Sequence, residues 1–252
     1  MVTAVNGQKI FAAGRFFGMP NVTTPTPTAF SIPQDQSITF KRSTKSLFGE
    51  NQFAADISAA TMEVTGKVTL GTLQPRIFSD LLFGDAGTAG QIKEANNEAG
   101  VVPAVTTYII TVANSATWTT DLGVRNADSG NRYTRVATTP VVGKSYTVAA
   151  GVYTFAAGDA NANMKISYLY TVTLVGETIV IANQQMGNVG AFTAVMQFNW
   201  ASEQSILTLN YCLTSDTEIS TKQDDYAKPT FGFMASCDAN DNLGSFSFAE
   251  AA

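Results

Sequence analysis

Between Phe53 and Gly84 the chain reads FAADISAATMEVTGKVTLGTLQPRIFSDLLFG, and the spacing of its apolar residues changes from two to about 3.6 partway along. From Met62 to Leu70 the alternation is unbroken. Met62, Val64, Val68 and Leu70 share one face with Gly66, while Glu63, Thr65, Lys67 and Thr69 share the other. That pattern predicts a strand with one buried and one wet face. After Gly71 the pattern switches: Leu73, Ile77 and Leu81 recur every fourth residue, joined by Phe78 and Leu82, with Pro75 in a first turn and Gly84 as terminator. A short helix is predicted, its apolar stripe Leu73, Ile77 and Leu81 packing on the strand's Met62, Val64, Val68 and Leu70.

Elsewhere the patterning is that of short strands. Residues 1–36 hold the Thr/Pro stretch NVTTPTPTAFSIPQDQ and read as an extended N-terminal arm. SITFKR, from Ser37 to Arg42, is the first clear strand. Residues 84–103 are a Gly/Ala/Asn stretch of little periodicity, predicted as a long connection and a domain boundary. Five short β segments follow (105–112, 133–137, 145–148, 152–155 and 164–173), with turns at Asp128-Ser129-Gly130 and Ala150-Gly151. ETIVIA, from Glu177, reads as a further strand. Residues 190–200 and 203–212 read as a long hairpin, and residues 230–237 and 245–248 as a closing one. The expected fold class is all-β: a β-sandwich or barrel-like core with one short helix, built from 37–102 and 174–252, and an inserted small β-sandwich-like domain at 103–173.

Composition narrows the functions available. Only 14% of the 252 residues are charged, against about 25% in typical soluble domains, and so uncharged a surface suits burial against copies of itself. The net charge of −5, with no cluster of Lys and Arg beyond Lys41, Arg42 and Lys45, lacks the footprint of a nucleic-acid binder. There is no run of about 18 apolar residues to cross a membrane and no signal peptide at the start, so synthesis and assembly in a cytoplasm are expected. Cys212 and Cys237 are too few for a Cys-only zinc site, no histidine exists to complete a mixed one, and both are expected as buried, reduced thiols.

The absence of histidine also removes the usual Ser and Cys triads and the commonest general base. Asp224 and Asp225, adjacent on an extended chain, point apart and make a poor glycosidase pair with Glu218. Asp238-Ala239-Asn240-Asp241-Asn242-Leu243-Gly244 resembles the start of a calcium loop, but its glycine is one place late and Ala249 stands where the closing glutamate belongs. An Asx-type turn is the expected reading, as for Asp159, Asn161 and Asn163. Asn21-Val22-Thr23 is a sequon without a secretory signal. Trp118, Trp200 and tyrosines 133, 146, 153, 168, 170 and 211 are expected in the core or a subunit interface instead of on a sugar platform. No enzyme activity, metal or cofactor is expected.

The alternating strand with its glycine, followed by the helix that closes on Leu-Leu-Phe-Gly, resembles tailed-bacteriophage virion proteins, in particular tail tube (major tail) proteins. The segments TYIITVANSATWTTDLGVRNADSGNRYTRVA, YTVAAGVYTFAAGDANANMKISYLYT and KQDDYAKPTFGFMASCDANDNLGSFSF are similar to β-rich stretches of phage virion proteins. The resemblance implies a homo-oligomer: a hexameric ring, stacked with others into a tube, bound to other virion proteins in the phage tail, and passing DNA without gripping it. On that reading Glu63, Thr65, Lys67 and Thr69 line the lumen. The alternatives are a capsid decoration (cement) protein and a carbohydrate-binding or adhesive β module.

Overall fold

A computed structural model of the chain describes residues 14–84, 87–183, 185–186, 190–200 and 203–248. The fold is all-β, with 58% of the described residues in strands and two sheets, one of them a half-barrel. The chain separates into two compact units: Gly87–Thr178, and the segments on either side of it. Strands are numbered along the whole chain.

The flanking unit is one antiparallel sheet of β1 (Arg15–Pro20), β2 (Thr28–Ala29), β3 (Pro33–Phe48), β4 (Ala54–Leu70), β12 (Ala191–Trp200), β13 (Glu203–Glu218), β14 (Thr230–Ser236) and β15 (Gly244–Ser247). Their spatial order is β2-β1-β12-β13-β14-β4-β3, with β15 also on β13. One face carries a hydrocarbon core in which Phe16 meets Phe30 at 4.4 Å and Phe233 at 5.6 Å, and Phe192 meets Phe231 at 5.8 Å. Gly66 of β4 stands directly opposite Phe233 of β14, and a Cβ there would fall 2.1 Å from the ring. The glycine in the apolar face of β4 is the seat of that ring, because any side chain would displace it.

The predicted helix is present as a seven-residue π-helix, Ile77–Phe83, ended by Gly84 in the left-handed conformation (φ 68°). Ile77 and Leu81 are buried in the core, and Leu81 presses on Gly18 of β1, where a Cβ would come within 2.5 Å of its Cδ1. The Thr214 hydroxyl of β13 donates to the Leu81 carbonyl at 2.8 Å, which supplies one of the acceptors a helix end leaves open with its partner.

The inserted unit is a seven-stranded sheet ordered β5 (Thr88–Val101), β11 (Asn163–Thr178), β7 (Trp118–Asn126), β8 (Arg132–Arg135), β9 (Ser145–Ala149), β10 (Val152–Thr154) and β6 (Ile109–Thr111). All its neighbours are antiparallel except β8 and β9. Its two end strands meet: Gly100 of β5 lies against Ile110 of β6, and the Glu98 carboxylate of β5 accepts the Ala113 N–H at 2.8 Å. The strands therefore close around a shared core, with β5, β11, β7 and β8 linked to β9, β10 and β6 by the short parallel pairing of β8 with β9.

Residues 88–101 are strand β5, so the boundary falls at Gly87 and not at 103, and the insertion ends at Thr178. The sequence TAGQIKEANNEAGV has little intrinsic strand preference; the ladder with β11 imposes it. Residues 15–20 are no free arm, since β1 sits between β2 and β12, while residues 1–13 lie outside the described residues. β14 and β15 do not form a hairpin: both pair with β13, end to end. ETIVIA contributes only its first residues, to the end of β11, and Val180 and Ile181 are exposed.

Candidate functional site

The region singled out by the sequence lies on β4 and its partners. β4 pairs with β14 only over Val64–Thr69, so those residues are held between two strands, β14 and β3. Val64, Val68 and Leu70 are buried in the core with Ile77 and Leu81. On the opposite face Glu63 and Lys67 are exposed and Thr65 and Thr69 half-buried. Their cross-strand neighbours are polar except for Gly232 and the exposed Met234: Lys41 opposite Glu63, Thr39 and Met234 flanking Thr65, Ser37 and Gly232 flanking Lys67, and Asp35 and Thr230 flanking Thr69.

Two predicted packing residues are not in the core. Met62 is 49% exposed because it precedes the stretch paired with β14, where the strand has already left the sheet. Leu73 is 55% exposed because the helix begins later; the chain is pinned at that turn by Gly71 N–H donating to the Ile32 carbonyl at 2.9 Å.

The feature that pattern reading missed is the outer half of the β3–β4 hairpin. Residues 41–48 and 54–59 are exposed on both faces, apart from half-buried Ala54; the apolar side chains Leu47, Phe48 and Ile57 are among them, and Phe53 and Met62 are exposed beside them. Ile57 stands opposite Ser46, and Leu47 opposite Asp56, so the two apolar residues occupy different faces. β3 ends the sheet, and β4 before Val64 has no partner but β3 among the described residues. This is a two-stranded ribbon with both edges open and apolar groups on both sides. The signal in the sequence was the turn FGENQF between two stretches that do not alternate cleanly.

The acidic candidates serve local geometry. Asp238 accepts the N–H groups of Asn242 at 3.0 Å and Asn240 at 2.9 Å, and the Asn210 amide at 2.8 Å, which holds its carboxyl below the usual range. This is the bonding of an Asx-type turn. Asp225 is lowered by its bond to Lys228, the one ion pair among the described residues. Asp159 is not a turn residue on the surface: it is buried and accepts the Tyr133 hydroxyl and the Gly143 N–H. Cys212 is buried, its thiol pushed up to about 12 by burial. Cys237 lies just past β14 and is exposed, contrary to expectation, and both thiols are free.

Tyr133, Tyr146, Tyr153 and Tyr168 are buried in the inserted unit. Asp121 accepts the hydroxyls of Tyr146 at 2.5 Å and Tyr153 at 3.0 Å, and Glu98 accepts that of Tyr168 at 2.5 Å. Burial first, then these carboxylates and, for Tyr133, Asp159, raise the four phenols above their ordinary value. Trp118 is half-buried and donates to the Tyr153 hydroxyl. The side chain of Trp200 lies outside the described residues.

Among the described residues no helix is long and apolar enough to cross a membrane, and no group of three metal-ligating side chains occurs. Neither a protein-family model nor a curated protein matches the chain.

Proposed function

We propose that the chain is a structural subunit that assembles with copies of itself into stacked rings, forming the tube of a phage tail through which DNA passes. The observation that carries this reading is the β3–β4 ribbon. A two-stranded ribbon is marginal in water, and open, apolar edges recruit further strands. Ring closure pairs such edges within a finite assembly. Six-fold symmetry, other virion proteins as partners and location in the virion tail come from the resemblance of 53–84 and the later β segments to tail tube proteins. In the ring, Glu63, Thr65, Lys67 and Thr69 face the lumen. The bore is polar and weakly binding, so phosphates slide past instead of being held. The role is mechanical, not catalytic.

Negative-stain microscopy of the purified protein tests this reading. Rings or tubes with a central channel are expected. Compact trimers would favour a capsid decoration protein, and dispersed monomers at high concentration would contradict assembly altogether.

A further inference from the structure

The inserted unit carries a polar groove of about 710 Å³ whose lining includes Asn96, Asn97, Arg125, Arg132, Lys165 and Ser167 and no carboxylate. Its three cations are set by register. Lys165 of β11 stands directly opposite Arg125 of β7, which stands directly opposite Arg132 of β8. Like charges at directly opposed positions on neighbouring strands repel one another and destabilise a sheet unless something compensates.

No ion pair within the unit does so. Its acidic residues are Glu94, Glu98, Asp121, Asp128, Asp159 and Glu177. Glu98, Asp121 and Asp159 are tied to tyrosines, and Asp128 accepts the Asn163 amide at 3.1 Å. None forms an ion pair with Lys165, Arg125 or Arg132. Glu98, Asp121 and Asp159 are committed to the tyrosines; Asp128, bound to Asn163 two residues before Lys165, and Glu94, two residues before Asn96, pair with none of the three cations.

The groove is also shaped. Register shifts beside Ser167, toward both β5 and β7, interrupt the ladders there, and Asn97 takes the left-handed conformation (φ 58°) with its N–H donating to the Ser167 hydroxyl at 3.0 Å. The Arg125 Nε donates to the Asn97 side-chain oxygen at 3.0 Å, which orients the guanidinium and leaves its terminal N–H groups to donate elsewhere. The Asn97 amide and the Ser167 hydroxyl both donate to the Asn96 side-chain oxygen, at 2.6 and 3.4 Å, which fixes that amide beside the cations so that its nitrogen can donate to a ligand hydroxyl and Ser167 can accept one. No exposed aromatic plane lines the groove to stack a base, which disfavours single-stranded nucleic acid.

We infer that this groove binds a sugar bearing phosphate or sulfate groups, its anions held across Lys165, Arg125 and Arg132 and its hydroxyls by Asn96 and Ser167. The site is independent of ring assembly, so either can fail without the other.

Titration calorimetry on the full chain, with oligomeric dextran sulfate, neutral dextran of the same length, pyrophosphate and a single-stranded DNA oligomer as probes, tests the assignment. Saturable binding of dextran sulfate is expected, with none to neutral dextran, and weakening as salt rises. The double substitution Arg125→Gln, Arg132→Gln should weaken it by about tenfold or more, as expected for loss of charge-assisted hydrogen bonds. Arg135→Gln, outside the groove, should not. If the double variant fails to fold, Lys165→Gln carries the same test. Pyrophosphate binding with the same sensitivity to substitution, but weaker, supports a polymer-borne ligand; equal or tighter binding supports a free sugar phosphate as the source. Equal affinity of the wild type and the groove variants, no binding, or DNA binding as tight as dextran sulfate would each overturn the proposal.

Discussion

The two units bury their interiors by different chemistry. The flanking unit relies on hydrocarbon: five phenylalanines meet across its sheet, and a helix adds Ile77 and Leu81. The inserted unit adds to its apolar residues four tyrosines whose hydroxyls reach Asp121, Glu98 and Asp159, so each of these side chains is both buried and bonded. They differ equally at their edges. The inserted sheet brings its end strands together through Gly100 and Ile110, whereas the flanking sheet ends in a 16-residue strand, β3, whose outer half belongs to an uncovered ribbon. One unit is finished by its own residues and the other is not, so the proposed assembly falls to the flanking unit.

The largest effect that sharpens this contrast is expected at the hydrocarbon core. Val64→Asp places a carboxylate where 3% of the residue is exposed, and should cost more than about 4 kcal/mol in urea unfolding. The counterpart in the inserted unit is Asp121→Ala, which leaves two buried tyrosine hydroxyls and the Gly123 N–H without their acceptor. A loss of about 2 to 4 kcal/mol is expected in the same measurement.

The tyrosines also give the inserted unit a pH dependence. Their phenols titrate above the ordinary 10.0 in the folded state, chiefly through burial, so the folded chain holds these protons more tightly than the unfolded one. That stabilisation is complete below pH 10.0 and is lost as pH rises through the raised folded values. Tyrosinate absorbance should therefore appear together with loss of near-UV dichroism. Ionisation of Tyr146 and Tyr153 at 10.0 with the fold intact would contradict the bonding described here.

The smallest effect is expected on the polar face of β4. Thr65→Lys should change stability by no more than about 0.5 kcal/mol, since Thr65 is only half-buried. In particles it should slow DNA ejection at low salt if Thr65 faces the lumen, because a ring of lysines would bind phosphates. Unchanged ejection would remove the lumen assignment, and failed assembly would place Thr65 in a subunit contact.

How much of this could be read from the chain follows the same division. Val64, Val68 and Leu70 were legible because both their face and their period are enforced inside one subunit, and Gly84 because a helix end needs a left-handed residue. The outer ribbon was not legible. Leu47, Phe48 and Ile57 do not share one face, so no alternation marks a buried side. Met62 was misplaced for the converse reason: its alternation is sound, but the partner strand ends before reaching it. The small and polar residues of β5 carry no strand signal of their own, so the local pattern of 88–101 is that of a loop. The cationic groove needed the register of three strands, which no local pattern encodes.

The central claim is that residues 41–62 are completed by neighbouring copies. Amide hydrogen exchange, followed by mass spectrometry on the same protein as dilute monomer and as assembled particles, measures this directly. The outer ribbon should exchange at nearly the rate of an unfolded chain in the monomer and become strongly protected on assembly, while Val64–Thr69 is protected in both states. Equal protection of residues 41–62 in monomer and particle, or continued rapid exchange within the particle, would contradict the claim.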